Sequence, residues 1–183
     1  MATQLWLIPL FPLLGFVLNL LLGRTPGRTF TTLVGPLAVL AALGQSVWAC
    51  IALWSRNAAT IQETLWRWIH IGDLQLEVGF QVDPLTALFL LIITGIGFLI
   101  HVYSVGYMAD EEHYGRFFAF LNLFVFFMLV LVLADNLLLM FVGWEGVGLC
   151  SYLLIGFYHE KISAGEAAKL SLIHISEPTR QAS

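Results

Sequence analysis

Asn136 to Tyr158 reads NLLLMFVGWEGVGLCSYLLIGFY, an apolar run long enough to cross a bilayer with one carboxylate, Glu145, inside it. At about 1.5 Å of rise per residue, Glu145 lies roughly 12 to 14 Å from the start of such a helix, near the middle of a hydrocarbon core of about 30 Å. An ionised side chain at that depth costs at least ~2.5 to 3.5 kcal/mol, so it is expected to face protein or a hydrated cavity, and it marks a candidate functional site. Gly143, Gly146 and Gly148 leave the backbone bare around it, which lets other helices approach closely. On a 3.6-residue period Glu145 shares a stripe with Gly148, Leu149, Tyr152 and Gly156, and that stripe is expected to face the bundle. Two readings stay open from these residues alone: a proton-handling carboxylate, or a permanently protonated carboxyl that only bonds a neighbouring helix.

The rest of the chain fits the same solvent. Its 183 residues are 59% hydrophobic and 11% charged, with a mean hydropathy of +0.86, the profile of a polytopic membrane protein. The net charge is −4 and the basic residues are scattered, so no nucleic-acid footprint is present. Cys50 and Cys150 each sit inside an apolar segment, where a small polarizable side chain packs well, and two distant thiols do not suit an iron–sulfur cluster. No cofactor is expected on this chain.

The composition and patterning predict an all-α polytopic membrane protein with about five transmembrane helices, near residues 4–22, 31–54, 85–107, 116–133 and 137–157. Pro9 and Pro12 interrupt the first, which lacks the cleavage site of a secretory signal, and Trp48 and Trp54 suit an aromatic belt at the end of the second. Between helices 2 and 3 the period changes to two. Leu74, Leu76, Val78, Phe80 and Val82 alternate with Gln75, Glu77, Gly79 and Gln81, after a β-branched and aromatic run from Leu65 to Ile71. With Gly72-Asp73 as a two-residue turn, this predicts a β-hairpin over 65–82, with His70 as a packing residue beside Trp66 and Trp68.

Asp83-Pro84 is a helix start, aspartate as N-cap and proline at the first helical position. Gly95 and Gly97 inside the third segment make no dinucleotide fingerprint, and His101 near its end reads as a packing residue at the membrane interface, with proton relay as the other possibility. Asp135 is expected to cap the Glu145 helix. Arg24, Arg28, Arg116, Lys161 and Lys169 fall on one side of this topology and Arg56 and Arg67 on the other, which puts the first group in the cytoplasm and the amino terminus and hairpin outside. The amino terminus carries no lipidation motif.

The run GFLIHVYSVGYM with DEEHYGRFFAFLNLF, and then LVLADNLLLMFVGWEGVGLCSYLLIGFY, resembles the amino-terminal part of the L-subunit family of NADH:quinone oxidoreductase, respiratory complex I, whose mitochondrial counterpart is subunit 5. The resemblance covers residues 1–169, and Asp135 to Tyr158 is its specific part. Mrp-type cation/proton antiporter subunits are similar in having a glutamate in the equivalent helix, and they stand as the alternative reading. A third is a purely structural anchor.

The resemblance implies an enzyme subunit of a proton translocase in a bacterial inner membrane, coupling electron transfer from NADH to quinone with proton translocation. Its partners would be the other membrane subunits of complex I and the lipid bilayer. It implies further that Glu145 takes part in translocation by tuning the proton affinity of a lysine on a later helix. That lysine is outside this sequence, so the chain is expected to be an amino-terminal fragment that does not pump by itself. Leu170 to Arg180, LSLIHISEPTR, resembles the translation of a transposase-type sequencing adapter. Residues 170–183 are therefore expected to be no part of the family sequence, and His174 and Glu177 carry no functional weight.

Overall fold

A computed structural model describes residues 4–23, 27–56, 58–71, 74–158 and 161–176. The elements run α1 (Leu7–Leu22), α2 (Arg28–Ser55), β1 (Ile61–Ile71), β2 (Leu74–Val82), α3 (Pro84–Tyr107), α4 (Tyr114–Leu133), α5 (Leu137–Ile155), a 3-10 turn (Gly156–Tyr158) and α6 (Ile162–Ser176). The five apolar helices and the hairpin fall where the hydropathy pattern puts them. Four of the helices are long and apolar enough to cross a membrane. The fifth, α1, has 16 residues, about 24 Å of rise, because the chain turns at Leu5 and Trp6 before the helix begins. The helix α6 goes beyond the five expected; it crosses Lys169 and enters the adapter-like stretch as far as Ser176.

Polarity is arranged for a lipid solvent. Leu5, Ile8, Val39, Ala42, Val82, Leu90, Leu129 and Leu133 are fully buried between helices, while Leu21, Leu85, Leu99 and Leu137 stand outward. In water that outer surface would be a liability; against acyl chains it has the polarity of its surroundings. The helix α4 is central, packing against α1 and α2 on one side and α5 on another.

The hairpin is antiparallel, from Ile61 opposite Val82 to Ile71 opposite Leu74. It is longer than expected because Ile61 and Glu63 pair with Val82 and Phe80, and the register shifts between Thr64 and Trp66 and again between Arg67 and Ile69. Such bulges bend a strand away from the strict alternation that a period-two reading looks for. The Gly72-Asp73 turn lies outside the described residues, as does the side chain of His70.

At the foot of the hairpin the caps are set. Asp83 accepts a 2.7 Å bond from the Thr86 N–H, with Pro84 next to it, as expected for the start of α3. This bond holds the Asp83 carboxyl below the usual carboxylate range. For α5 the expectation is corrected: Asn136, not Asp135, is the cap. Asn136 has an extended backbone and its Oδ1 accepts a 2.9 Å bond from the Leu139 N–H, three residues on. Its Nδ2 donates to the Glu77 carbonyl at 2.8 Å and to Asp135 Oδ1 at 2.7 Å. Asp135 instead faces the hairpin, where its N–H donates to the Gly79 carbonyl. A Cβ on Gly79 would lie 2.1 Å from Asp135 Oδ2, so only glycine admits that carboxylate. Both residues bond carbonyls of the hairpin, Asp135 through its backbone N–H and Asn136 through its side-chain amide, and it is the Asn136 amide, reaching Glu77 59 residues away in sequence, that turns its oxygen to the helix start.

Candidate functional site

The helix α5 reaches Ile155 without a proline, and Glu145 is the ninth of its 19 residues, about 12 Å from its start. The face that packs on α4 is Leu139, Gly143, Gly146 and Cys150, all buried and spaced four, three and four apart. The close approach is made by two glycines. A Cβ on Gly143 would stand 2.6 Å from the Cα and N of Leu131, and one on Gly146 would stand 2.1 Å from the Phe127 ring. Backbone therefore lies against backbone in one place and against an aromatic ring in the other. This is the small-residue packing that membrane helices use in the absence of a hydrophobic drive between them.

Glu145 is off that seam. It is half-buried, and of its own stripe Gly148 is buried, Tyr152 and Gly156 are half-buried and Leu149 is 46% exposed. The expectation that this stripe faces the bundle is met only in part: the seam with α4 takes a neighbouring face, and the carboxylate sits on the flank. The reason is that Gly143 and Gly146 permit a closer contact than the glutamate stripe does. The turn after α5 is held from the α3–α4 connection and the start of α4. Arg116 donates from Nη2 to the Phe157 carbonyl at 3.2 Å and lies 5.0 Å over the Phe157 ring, and the Tyr158 hydroxyl donates to Glu111 Oε2 at 3.1 Å. Gly156 meets Ala168 of α6, and a cavity of about 250 Å³ lies between Arg116, Tyr152, Gly156 and Ala168.

The other residues singled out in the sequence are not at this site. His101 is fully buried within the bundle rather than at the interface; its Nδ1 pairs with the Gly97 carbonyl at 2.8 Å and its ring meets Phe118 edge-on at 6.0 Å. Its Nε2 has no partner among the described residues. Cys50 and Cys150 are buried free thiols. His174 lies in α6 with its side chain outside the described residues, and Glu177 lies outside them altogether. Among the buried polar residues outside the sequence-predicted set are Asn19 of α1, Thr31 of α2 and Asn122 of α4. Asn122 donates to the Phe118 carbonyl at 2.9 Å, but among the described residues its Oδ1 has no partner, nor do the two amide atoms of Asn19 and the Thr31 hydroxyl. The available signal was an amide within an otherwise apolar run.

Comparison with known proteins places the same segments together. The model described as NADH-Ubiquinone oxidoreductase (complex I), chain 5 N-terminus, matches residues 68–118, and that for NADH:quinone oxidoreductase/Mrp antiporter, TM, matches residues 134–176, which include Glu145. The chain is 45% identical over 170 residues to the NADH-quinone oxidoreductase subunit L of Mycobacterium tuberculosis, covering 92% of this chain and 27% of the relative. It is 43% identical over 171 residues to that of Escherichia coli, covering 93% and 28%. The NAD(P)H-quinone oxidoreductase subunit 5 of the Mesostigma viride chloroplast is 42% identical over 173 residues, covering 92% and 26%. The chain thus spans about a quarter of the length of the curated relatives it matches.

Proposed function

The chain belongs to the subunit L/chain 5 family of NADH:quinone oxidoreductase, and on that premise we propose that it serves proton translocation as a membrane subunit of that complex, with Glu145 as its proton-handling group. The observation that carries this is the setting of Glu145. It is a carboxylate at mid-depth on a helix pinned to its neighbour by Gly143 and Gly146, and it stands on the flank of that seam rather than in it. A pinned helix keeps the carboxylate at a fixed depth.

In the mechanism, Glu145 works through electrostatic coupling. A carboxylate within ~4 to 6 Å of an ammonium favours the charged form of both, so approach of a cation lowers the proton affinity of the glutamate and separation restores it. The cation belongs to a later helix of the family, and electron transfer from NADH to quinone takes place on other subunits. Those subunits and the lipid bilayer are the partners, and the bacterial inner membrane is the location. Arg28, Arg116 and Lys161 gather at one end of the bundle, as the contacts of Arg28 with the α3–α4 loop and of Arg116 with Phe157 support. With the positive-inside rule this favours a cytoplasmic position for that end and a periplasmic one for the hairpin.

An Mrp-type antiporter shares the second family description, but the first, over residues 68–118, names complex I alone, and the relatives quoted above carry quinone oxidoreductase names. The test is Glu145→Gln in the complex in its own membranes, with NADH oxidation and proton release followed together. Coupled oxidation and proton release are expected to fall about tenfold, with partial recovery in Glu145→Asp. Wild-type rates of both in Glu145→Gln would return the residue to a structural role.

A further inference from the structure

At the arginine-rich end of the bundle, a cavity of about 630 Å³ lies between the end of α1 and the beginnings of α2 and α4. Its floor is polar. Asn19 lines it, is 2% exposed, and has no partner for Nδ2 or Oδ1 among the described residues. Arg28 and Arg116 stand on its wall; each donates to backbone carbonyls, Arg28 to Ala109 and Glu111 and Arg116 to Phe157, and the buried Nε of Arg116 has no partner among the described residues. Glu112 is the acidic residue of the lining and His113 lies beside it.

Two helix beginnings meet there. Gly27 and Arg28 open α2, and His113, Tyr114 and Gly115 open α4; neither helix has a side-chain cap or an acidic residue in its first turn. The first N–H groups of a helix have no partner within it and carry partial positive charge, so two uncapped starts with two guanidinium groups favour an anion. The remaining wall is of another kind: Leu20 and Leu21, also part of the lining, are 48% and 70% exposed toward the outside of the bundle. One side of the cavity thus carries the cations and helix starts at the end of the bundle, and the other is an apolar slope running along α1.

We propose that this cavity binds the phosphate group of an anionic phospholipid, with Arg28, Arg116, the Asn19 amide and the first N–H groups of α2 and α4 around the headgroup and an acyl chain along Leu20 and Leu21. A free phosphate would satisfy the polar side but leave the leucine wall unused; a lipid uses both. Basic pockets between membrane helices recognise anionic headgroups by the same chemistry. The site is separate from Glu145, and its occupant would tie α1, α2 and α4 together at the membrane surface.

The experiment takes the full chain in detergent and reads thermal unfolding and retained lipid by native mass spectrometry. The probes are dioleoylphosphatidylglycerol, dioleoylphosphatidylcholine and inorganic phosphate. Phosphatidylglycerol is expected to raise Tm by several degrees and to remain bound, with phosphatidylcholine and inorganic phosphate giving less than half that shift. Arg116→Gln is expected to weaken phosphatidylglycerol retention about tenfold. Since Arg116 also holds Phe157, Asn19→Leu provides the independent arm: it removes an amide with no partner among the described residues and should reduce lipid retention at least threefold without lowering the lipid-free Tm. An equal shift with inorganic phosphate would overturn the lipid and leave an anion site. Retention of phosphatidylglycerol unchanged in both variants would overturn the site.

Discussion

The two faces of α4 use one device for opposite contents. Toward α5, Leu131 and Phe127 fill the space left by Gly143 and Gly146, and the contact is apolar throughout. Toward α1 and α2, the space left by Gly15 and Gly35 is filled by Asn122 and Phe118: a Cβ on Gly15 would lie 2.7 Å from Asn122 Oδ1 and from Ala38 Cβ, and one on Gly35 would lie 2.7 Å from the Phe118 ring. Glycine sets how near two helices come. What stands opposite it decides whether the seam is a close contact with backbone and ring or a place where an amide is buried.

The difference should be measurable as unequal tolerance. Gly143→Ala meets backbone, which cannot rotate away, so the loss is expected at the upper end of the overpacking range, about 3 kcal/mol, read as a fall in unfolding midpoint in detergent. A cost below about 1 kcal/mol would show that α4 and α5 slide freely and would break the comparison. Gly15→Ala meets the Asn122 amide, which can turn, and the Ala38 Cβ, which moves only with its backbone; the same measurement should give about 2 kcal/mol. A larger effect than that of Gly143→Ala would reverse the order of the two faces.

The smallest effect is expected at the caps, which differ in charge. The carboxyl of Asp83 is held below its usual range by the Thr86 N–H, whereas Asn136 caps α5 with an amide that does not titrate. A group whose folded pKa is depressed stabilises the fold above its unfolded pKa, about 3.9 for aspartate, and loses that contribution as pH falls through the folded value. Wild type should therefore lose up to about 1 kcal/mol relative to Asp83→Asn between pH 6 and pH 3, in line with the worth of an N-cap. Parallel midpoints of the two proteins over that range would mean that the cap of α3 contributes nothing, and that only the glycine seams order the bundle.

The existence and approximate ends of α1 to α5 were legible because they depend on local quantities, the length and apolarity of a run set against bilayer thickness and the change of period from 3.6 to 2 at the hairpin. The depth of Glu145 was legible for the same reason, being a count of residues along one helix. Its rotation was not. Seven residues of α5, from Gly143 to Leu149, offer two glycine-bearing stripes, and only the shape of Leu131 and Phe127 on α4 selects one of them. The cap at Asn136 rather than Asp135 was hidden in the same way, since both residue types cap helices and both bond the hairpin, Asp135 by its backbone and Asn136 by its side-chain amide. Asn19 and Arg116, about a hundred residues apart, become one cavity only when α1 and α4 lie side by side. The sequence by itself determined which segments leave water, because transfer to lipid is a sum over residues taken one at a time. The tertiary structure decided which face each helix turns inward, because that depends on the fit of surfaces that are distant along the chain.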